Sequence, residues 1–422
     1  MNFAAPNHVA TWSIAALSVL GVIIRPWRIP EALWAVLGAG ALVLFSLLPV
    51  SAALAAILKG TDVYLFLIGM MLLAEFAREE GLFDWLAAYA TLKARGSAAR
   101  LFILVYGVGT VVTVFLSNDA TAVVLTPAVY AATKQAKAHP LPYLFICAFV
   151  ANAASFVLPI SNPANLVVYG AHMPPLSSWL RQFGIASLFS IVATFLLLRF
   201  TQRGALAGTI ERDVQPPGLG IGGRLAGIGI LMTAVVLLIA SSLDWRLGLP
   251  TFLAGVITGI IIMALRRVSP SACLKQVSWS VLPLVAGLFV LVQGVENTGV
   301  LQPLMHMASS SAQTSPEETA LITGGIAALL CNAMNNLPLG LIAGAVATGA
   351  HLAPQVTGAI LIGVDLGPNL SVTGSLATIL WLVALRREGQ DVSAGKFLLV
   401  GSIVMPPALL AALASFVWLS TR

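Results

Sequence analysis

Phe115-Leu116-Ser117-Asn118-Asp119-Ala120-Thr121 is a polar turn between two apolar runs. One run leads in from Leu101, and the other leaves through Val123, Val124 and Leu125 to Pro127. Each arm reads as about half of the ~20 residues that a helix needs to span a bilayer. A polar tip on two short apolar arms predicts a re-entrant hairpin over about 101–133, entering and leaving the membrane on one side. Irregular backbone at that depth is tolerated only where protein buries it or where it lines a water-filled cavity. Asp119, an ionisable residue at such a depth, is a functional candidate on that ground. The alternative reading is one continuous helix kinked at Pro127, with Asp119 near its end.

Composition fixes the class around this stretch. Hydrophobic residues make up 59% of the chain and charged residues 9%, against ~25% charged in soluble domains. The mean hydropathy is +0.95. These values specify an all-α polytopic membrane protein. Met1 to Thr11 lacks a basic n-region, so a cleavable signal peptide is not expected. The net charge of +6 is a topology signal and gives no reason to expect a nucleic-acid partner. Cys147, Cys273 and Cys331 have no CxxC spacing and are expected as free, packed thiols. No HExxH, His/Asp/Glu metal spacing or Ser–base pair falls inside the apolar segments, so neither an enzyme nor a cofactor is expected.

Further spans are expected at about 10–24, 31–49, 61–77, 143–169 (broken) and 179–199. A hydrophilic stretch carrying Glu211-Arg212-Asp213 and Pro216-Pro217-Gly218 reads as a central linker. Spans at about 224–242, 248–265, 281–295, 354–385 (broken) and 396–418 follow, with a second hairpin over about 319–350 turning at Asn335-Asn336-Leu337-Pro338. A shift of 218 residues lays Gly69 on Gly287, Gly81 on Gly299 and Asn118 on Asn336. A shift of 212 lays Ser161-Asn162-Pro163 on Thr373-Gly374-Ser375. The expected division is therefore a first repeat over 1–200, a cytoplasmic linker over 201–223 and a second repeat over 224–422. Each repeat has five full spans and one hairpin, and five is odd, so the second inserts upside down. This is the inverted-repeat plan of secondary transporters, with the site at the repeat interface near the midplane. Sorting the basic residues by this topology puts 18 on one side and 4 on the other. The positive-inside rule makes the first side cytoplasmic and places both termini outside. The stretch Glu296 to Glu318, without Lys or Arg, reads as an outer loop.

Four polar clusters then converge: the two hairpin tips and the two helix breaks. Ser117, Asn118 and Thr121 belong to the first tip, and Asn335 and Asn336 to the second. Ser161, Asn162 and Asn165 belong to the first break, and Asn369, Thr373 and Ser375 to the second. Pro and Gly stop a helix and leave unpaired carbonyls and amides, which hold ions and polar solutes in discontinuous membrane helices. Asn, Ser and Thr add neutral donors and acceptors. Each Asn also has a purely structural reading, as a tie for broken backbone. Asp119 and Asp365 are the ionisable members, and a carboxylate in a low-dielectric site can exchange a proton as access alternates.

The same residues carry a family resemblance. Ser117-Asn118-Asp119-Ala120-Thr121, Asn335-Asn336-Leu337-Pro338 and, above all, Gly363-Val364-Asp365-Leu366-Gly367-Pro368-Asn369 through Gly374-Ser375-Leu376-Ala377-Thr378 resemble the arsenite efflux permeases (arsenical pump membrane proteins) of the ion transporter superfamily. The resemblance implies inner-membrane export of arsenite and antimonite driven by protons, in some members with a soluble arsenite-stimulated ATPase as partner. It also implies a mobile unit that holds the hairpins. Dicarboxylate importers of the superfamily resemble Ser-Asn-Thr at both tips; here Asp119 and Leu337 replace the threonines, and a tip carboxylate repels an anionic solute. Arsenite near pH 7 is a neutral trihydroxide, suited to Asn, Ser and Thr. An oxyanion would call for Arg or Lys, and none falls in the four clusters. A sodium/proton antiporter, or a silicic acid or anion transporter of the same superfamily, is the alternative reading.

Overall fold

The computed structural model describes residues 6–26, 29–170, 173–212, 217–266 and 274–420. Arg28, Asp213, Pro216, Arg267, Cys273 and Arg422, all used in the sequence reading, lie outside the described residues. Among the described residues the chain is helical and forms no named strand. One series of elements occurs twice. The first run is α1 (Pro6–Ile24), α2 (Glu31–Leu44), α3 (Val50–Lys59), α4 (Thr61–Glu79) and α5 (Leu82–Lys93). A hairpin follows, of α6 (Ala98–Phe115) and α7 (118–135), then a broken helix of α8 (Leu141–Ala153) and α9 (Pro163–Tyr169), then α10 (Leu176–Thr201). The second run is α11 (Ile221–Ser242), α12 (Gly248–Arg266), α13 (Val281–Asn297) and α14 (Gln302–Thr314). Its hairpin is α15 (Pro316–Met334) and α16 (Asn336–Gly349), its broken helix α17 (Pro354–Leu366) and α18 (Leu376–Arg387), and its last helix α19 (Ala394–Ser420).

Among the described residues six helices, α1, α6, α10, α11, α12 and α19, are long and apolar enough to cross a membrane. The bent pairs α3–α4 (46°) and α13–α14 (82°) add two more candidates. The hairpin arms are longer than the sequence reading: α6 alone has 18 residues and passes as a span. Length therefore does not make the hairpin; the turn at its tip does. The presumed loop 296–318 is also corrected, because it contains α14 of 13 residues. α5 and α3 were likewise unread, and the span 31–49 stops as helix at Leu44. α5 and α14 are equivalent. Each begins after a left-handed glycine, Gly81 (φ 72°) or Gly299 (φ 77°), a conformation glycine adopts without Cβ strain. Both helices are too polar in part for a hydropathy reading to find.

Packing ties the runs together by exchange. α4 packs on α12 and α13 packs on α2, each helix against one of the other run. Gly69 of α4 lies against the Thr251 backbone, and Gly287 of α13 against the Ala35 backbone, where a Cβ would overlap. α10 and α19 also pair across the runs, with Phe183 and Phe416 stacked at 5.4 Å. The linker is strapped to the base of the first hairpin. Ile210 N donates to Gly96 O (3.0 Å) beside one leg, and Glu211 N donates to Ala136 O (2.8 Å) beside the other.

Candidate functional site

The first tip is a true reversal. The Thr113 and Thr121 hydroxyls lie 2.8 Å apart, whereas eight residues of continuous helix would separate them by about 12 Å. The kinked-helix alternative is thereby excluded. Ser117 makes the turn at φ 146°, rare for a residue with a Cβ, and its Oγ accepts from Ala120 N at 3.4 Å. A π turn over Thr121–Leu125 precedes Pro127 and accommodates its missing donor. At the second tip Asn335 has φ 72°, accepts from Leu337 N (3.4 Å) and donates to Thr373 O (3.3 Å). Asn336 N donates to Gly374 O at 2.8 Å, joining the second tip to the second break.

The two breaks cap each other. Asn162 Oδ1 caps α9 by accepting from Ala164 N (3.0 Å), and Ser375 Oγ caps α18 by accepting from Thr378 N (3.1 Å). These caps are equivalent, so Asn162 matches Ser375 and the sequence alignment of the breaks is corrected by one residue. On that register Asn152, ending α8, matches Asp365, ending α17. Asp365 Oδ1 accepts from Asn162 Nδ2 at 2.8 Å, and Asn152 Oδ1 accepts from Ser375 Oγ at 3.4 Å. Each run thus holds the cap of the other. Asn369 adds a second crossing: its Oδ1 accepts from Asn152 Nδ2 and its Nδ2 donates to Phe149 O, both at 3.0 Å.

A small cavity of about 20 Å³ opens between these parts. Its polar lining is Asn118, Asp119, Asn162, Asn335 and Asn336. Facing them are Leu67 of α4 and Val281, Leu284, Val285 and Leu288 of α13, with Glu31 of α2 also lining the space. About 10–15 Å³ of such volume holds one water, so the site is nearly closed in this conformation. The remaining sequence candidates stand behind the wall. Thr121 closes the hairpin, and Ser161 donates to Val114 O (3.0 Å). Asn165 ties the break through Ser155 O (2.9 Å) and Leu158 O (3.2 Å). Thr373 donates to Asn332 O at 2.9 Å. Asp365 is fully buried one side chain behind Asn162.

Among the site residues, three buried carbonyl or carboxylate oxygens have no donor: Asn118 Oδ1, Asn165 Oδ1 and Asp365 Oδ2. The Ser155 hydroxyl lies beside Asp365 but turns to Asn152 O at 2.8 Å. Among the described residues the Asp119 carboxylate has no hydrogen-bond or ion-pair partner. Glu31, Asn152 and Asn332 were missed from sequence. Glu31 is ion-paired with Arg25. Asn332 accepts from Ser371 Oγ (2.7 Å) and donates to Gly367 O (3.1 Å). A lone Asn in the apolar run 141–153 was a usable signal for Asn152. Cys147 and Cys331 are buried on different helices, each turned to a carbonyl of its own helix.

Crossed half-helices, two hairpin tips and a polar cavity between them define a multi-pass membrane transporter built from inverted repeats. The citrate transporter (CitMHS) family model matches residues 19–365, and the chain belongs to that family. An arsenical pump membrane protein of Escherichia coli is 25% identical over 82% of this chain and 84% of its own length. That of strain K12 is 27% identical with the same coverage. The crystal structure of the YdaH transporter of Alcanivorax borkumensis, described as having an unusual topology, shares the fold with a TM-score of 0.57. It covers 87% of both chains at 15% identity.

Proposed function

We propose that this protein exports arsenite and antimonite from the cytoplasm in exchange for protons, by alternating access of a mobile unit. One observation carries the reading: every neutral polar group of the cavity comes from hairpin tips and caps, while the α4–α13 wall is apolar. A solute hydrogen-bonded in the cavity is held by one unit and slides past the other. The hairpins and broken helices form the moving unit, and α1–α4 with α11–α13 form the fixed one.

The donors and charges favour a neutral hydroxide. No Lys or Arg lines the cavity, and Asp119 and Glu31 do. A tricarboxylate or oxyanion would meet carboxylates instead of the guanidinium it needs. The Asn118 Oδ1 acceptor, buried without a donor, costs about 1–3 kcal/mol, and a hydroxyl donor would offset that. Asn118, Asn162, Asn335 and Asn336 contact the solute; Ser117, Thr121, Ser161, Asn165, Asn369, Thr373 and Ser375 hold their backbones. The names of the arsenical pump relatives support the same substrate class. A neutral solute gains nothing from the membrane potential, so uphill export needs a coupled ion. Asp119, unpartnered in the cavity among the described residues, and Asp365 behind Asn162 are the candidates, and at least one of them carries the exchanged proton.

The repeats extend over 1–200 and 224–422, joined by a linker at 201–223 on the cytoplasmic side of the inner membrane, with both termini outside. The basic face there is where a soluble arsenite-stimulated ATPase would dock. The test is arsenite uptake into everted vesicles under an imposed proton gradient. Proton-driven accumulation is expected; sodium-driven uptake without arsenite transport would overturn the reading.

A further inference from the structure

A second cavity, of about 420 Å³, lies beside the candidate site. The two share Leu288 and Pro338. Their order along the scaffold is fixed twice over. α13 gives Val281, Leu284 and Val285 to the small cavity, then Leu291, Val292 and Val295 to the large one. α1 runs the other way and agrees: Val22 lines the small cavity, and Trp12 to Leu20 line the large one. From Val281 to Val295 is about 21 Å at 1.5 Å per residue, most of a hydrocarbon core of ~30 Å. The cavities therefore lie end to end, with Leu288 at their junction. Leu288 is buried, and Pro338 faces it two residues beyond Asn336.

We infer that the large cavity is the exit path of the solute, and that Leu288 is the apolar septum restricting that path to uncharged species. This rests on the transporter reading above. No charged side chain lines the large cavity, and its indole donor is taken, because Trp12 Nε1 donates to Thr298 Oγ1 at 2.8 Å. Hydrophobic constrictions gate by dewetting, and an ion crossing one loses its hydration without a compensating partner. A neutral trihydroxide loses far less. The polar tips hold the solute on one side of Leu288, and the septum rejects its ionised counterparts on the way out. The cavity residues set hydrogen bonding and their carboxylates repel anions; Leu288 turns back the ions they do not repel, cations among them.

Two variants test this in everted vesicles. Ala16→Trp, on the exposed face of α1, fills the large cavity from the side of α1 and replaces none of the tip or cap residues. It should slow downhill arsenite flux about tenfold, equivalent to 1.4 kcal/mol on the barrier. Unchanged flux would mean that the cavity merely faces lipid, and would overturn the inference. Leu288→Asn hydrates the septum and should raise sodium leak along the path about tenfold, because the cavity carboxylates do not repel a cation. An unchanged sodium leak in a folded Leu288→Asn protein would also overturn it. A third measurement is independent of the solute. A membrane-impermeant thiol reagent applied from outside should label Val295→Cys in the parent background, and Leu284→Cys only when combined with Leu288→Ala. Labelling of Leu284→Cys without that change sinks the septum even if arsenite proves to be the wrong solute. If the parent carries no arsenite yet this pattern holds, the function reading fails and the path stands.

Discussion

Replacing Asp365 by Asn separates a structural carboxylate from a coupling one. Asp365 Oδ1 accepts from Asn162 Nδ2 at 2.8 Å, and its Oδ2 has no donor. An Asn here keeps the acceptor, as Asn152 does at the equivalent place toward Ser375. The cost is the charge assistance of one hydrogen bond, about 1 kcal/mol, and removing a buried charge offsets part of it. Asp365→Asn should therefore stay within about 1 kcal/mol of the parent. Asp365→Ala removes the acceptor and strands a buried amide donor, costing about 3 kcal/mol. The two variants should differ by about 2 kcal/mol, roughly thirtyfold in the folded fraction. The assay pairs thermal unfolding in detergent with two vesicle measurements, downhill arsenite exchange and proton-driven accumulation. Asp365→Asn should retain exchange and lose accumulation. Two results refute the reasoning: accumulation equal to the parent, or destabilisation equal to that of Asp365→Ala.

Asn336→Ala should weaken arsenite binding with little change in stability, since its side chain has no hydrogen-bond partner among the described residues. Asn165→Ala, by contrast, leaves the Ser155 and Leu158 carbonyls unpaired and should cost about 1–3 kcal/mol by unfolding. Gly69→Val drives a side chain into the Thr251 backbone and should lower the yield of folded protein, with a cost near 3 kcal/mol; normal thermal stability would contradict the close approach. Changing Cys147, Cys273 and Cys331 together to Ala should leave most arsenite export, and complete loss with normal expression would point to sulfur ligation. Cysteines placed near Lys137 and Arg387 should react from the cytoplasm and one at Ser311 from outside; cytoplasmic labelling of Ser311 contradicts the inverted orientation.

Much of this design is written locally. Apolar runs mark the spans, and Asn, Pro and Gly mark where helices stop, because a broken helix exposes backbone that only such residues tolerate or cap. Ser117, Asn162, Asn335 and Ser375 are all helix caps, and each lies in a stretch legible as a break. The repeat could be read from Gly69 and Gly287, whose shared need is contact with another backbone. Hydropathy failed where a helix is not apolar. α14 reads as a loop in the sequence because its polar residues leave no continuous apolar run.

Only the tertiary structure decided which candidates face the cavity. Asn118 and Thr121 stand one turn apart, yet one lines the space and the other closes the hairpin. Glu31 of α2 and Leu288 of α13 enter the cavity wall from distant parts of the chain, with nothing local to mark them. The crossed caps are the clearest case. Asn162 and Asp365 are 203 residues apart, and Asn152 and Asn369 are 217 apart. A residue's propensity to end a helix is carried by its neighbours in the chain. The partner that satisfies the exposed groups is chosen by how two inverted repeats pack, and that is a property of the whole fold.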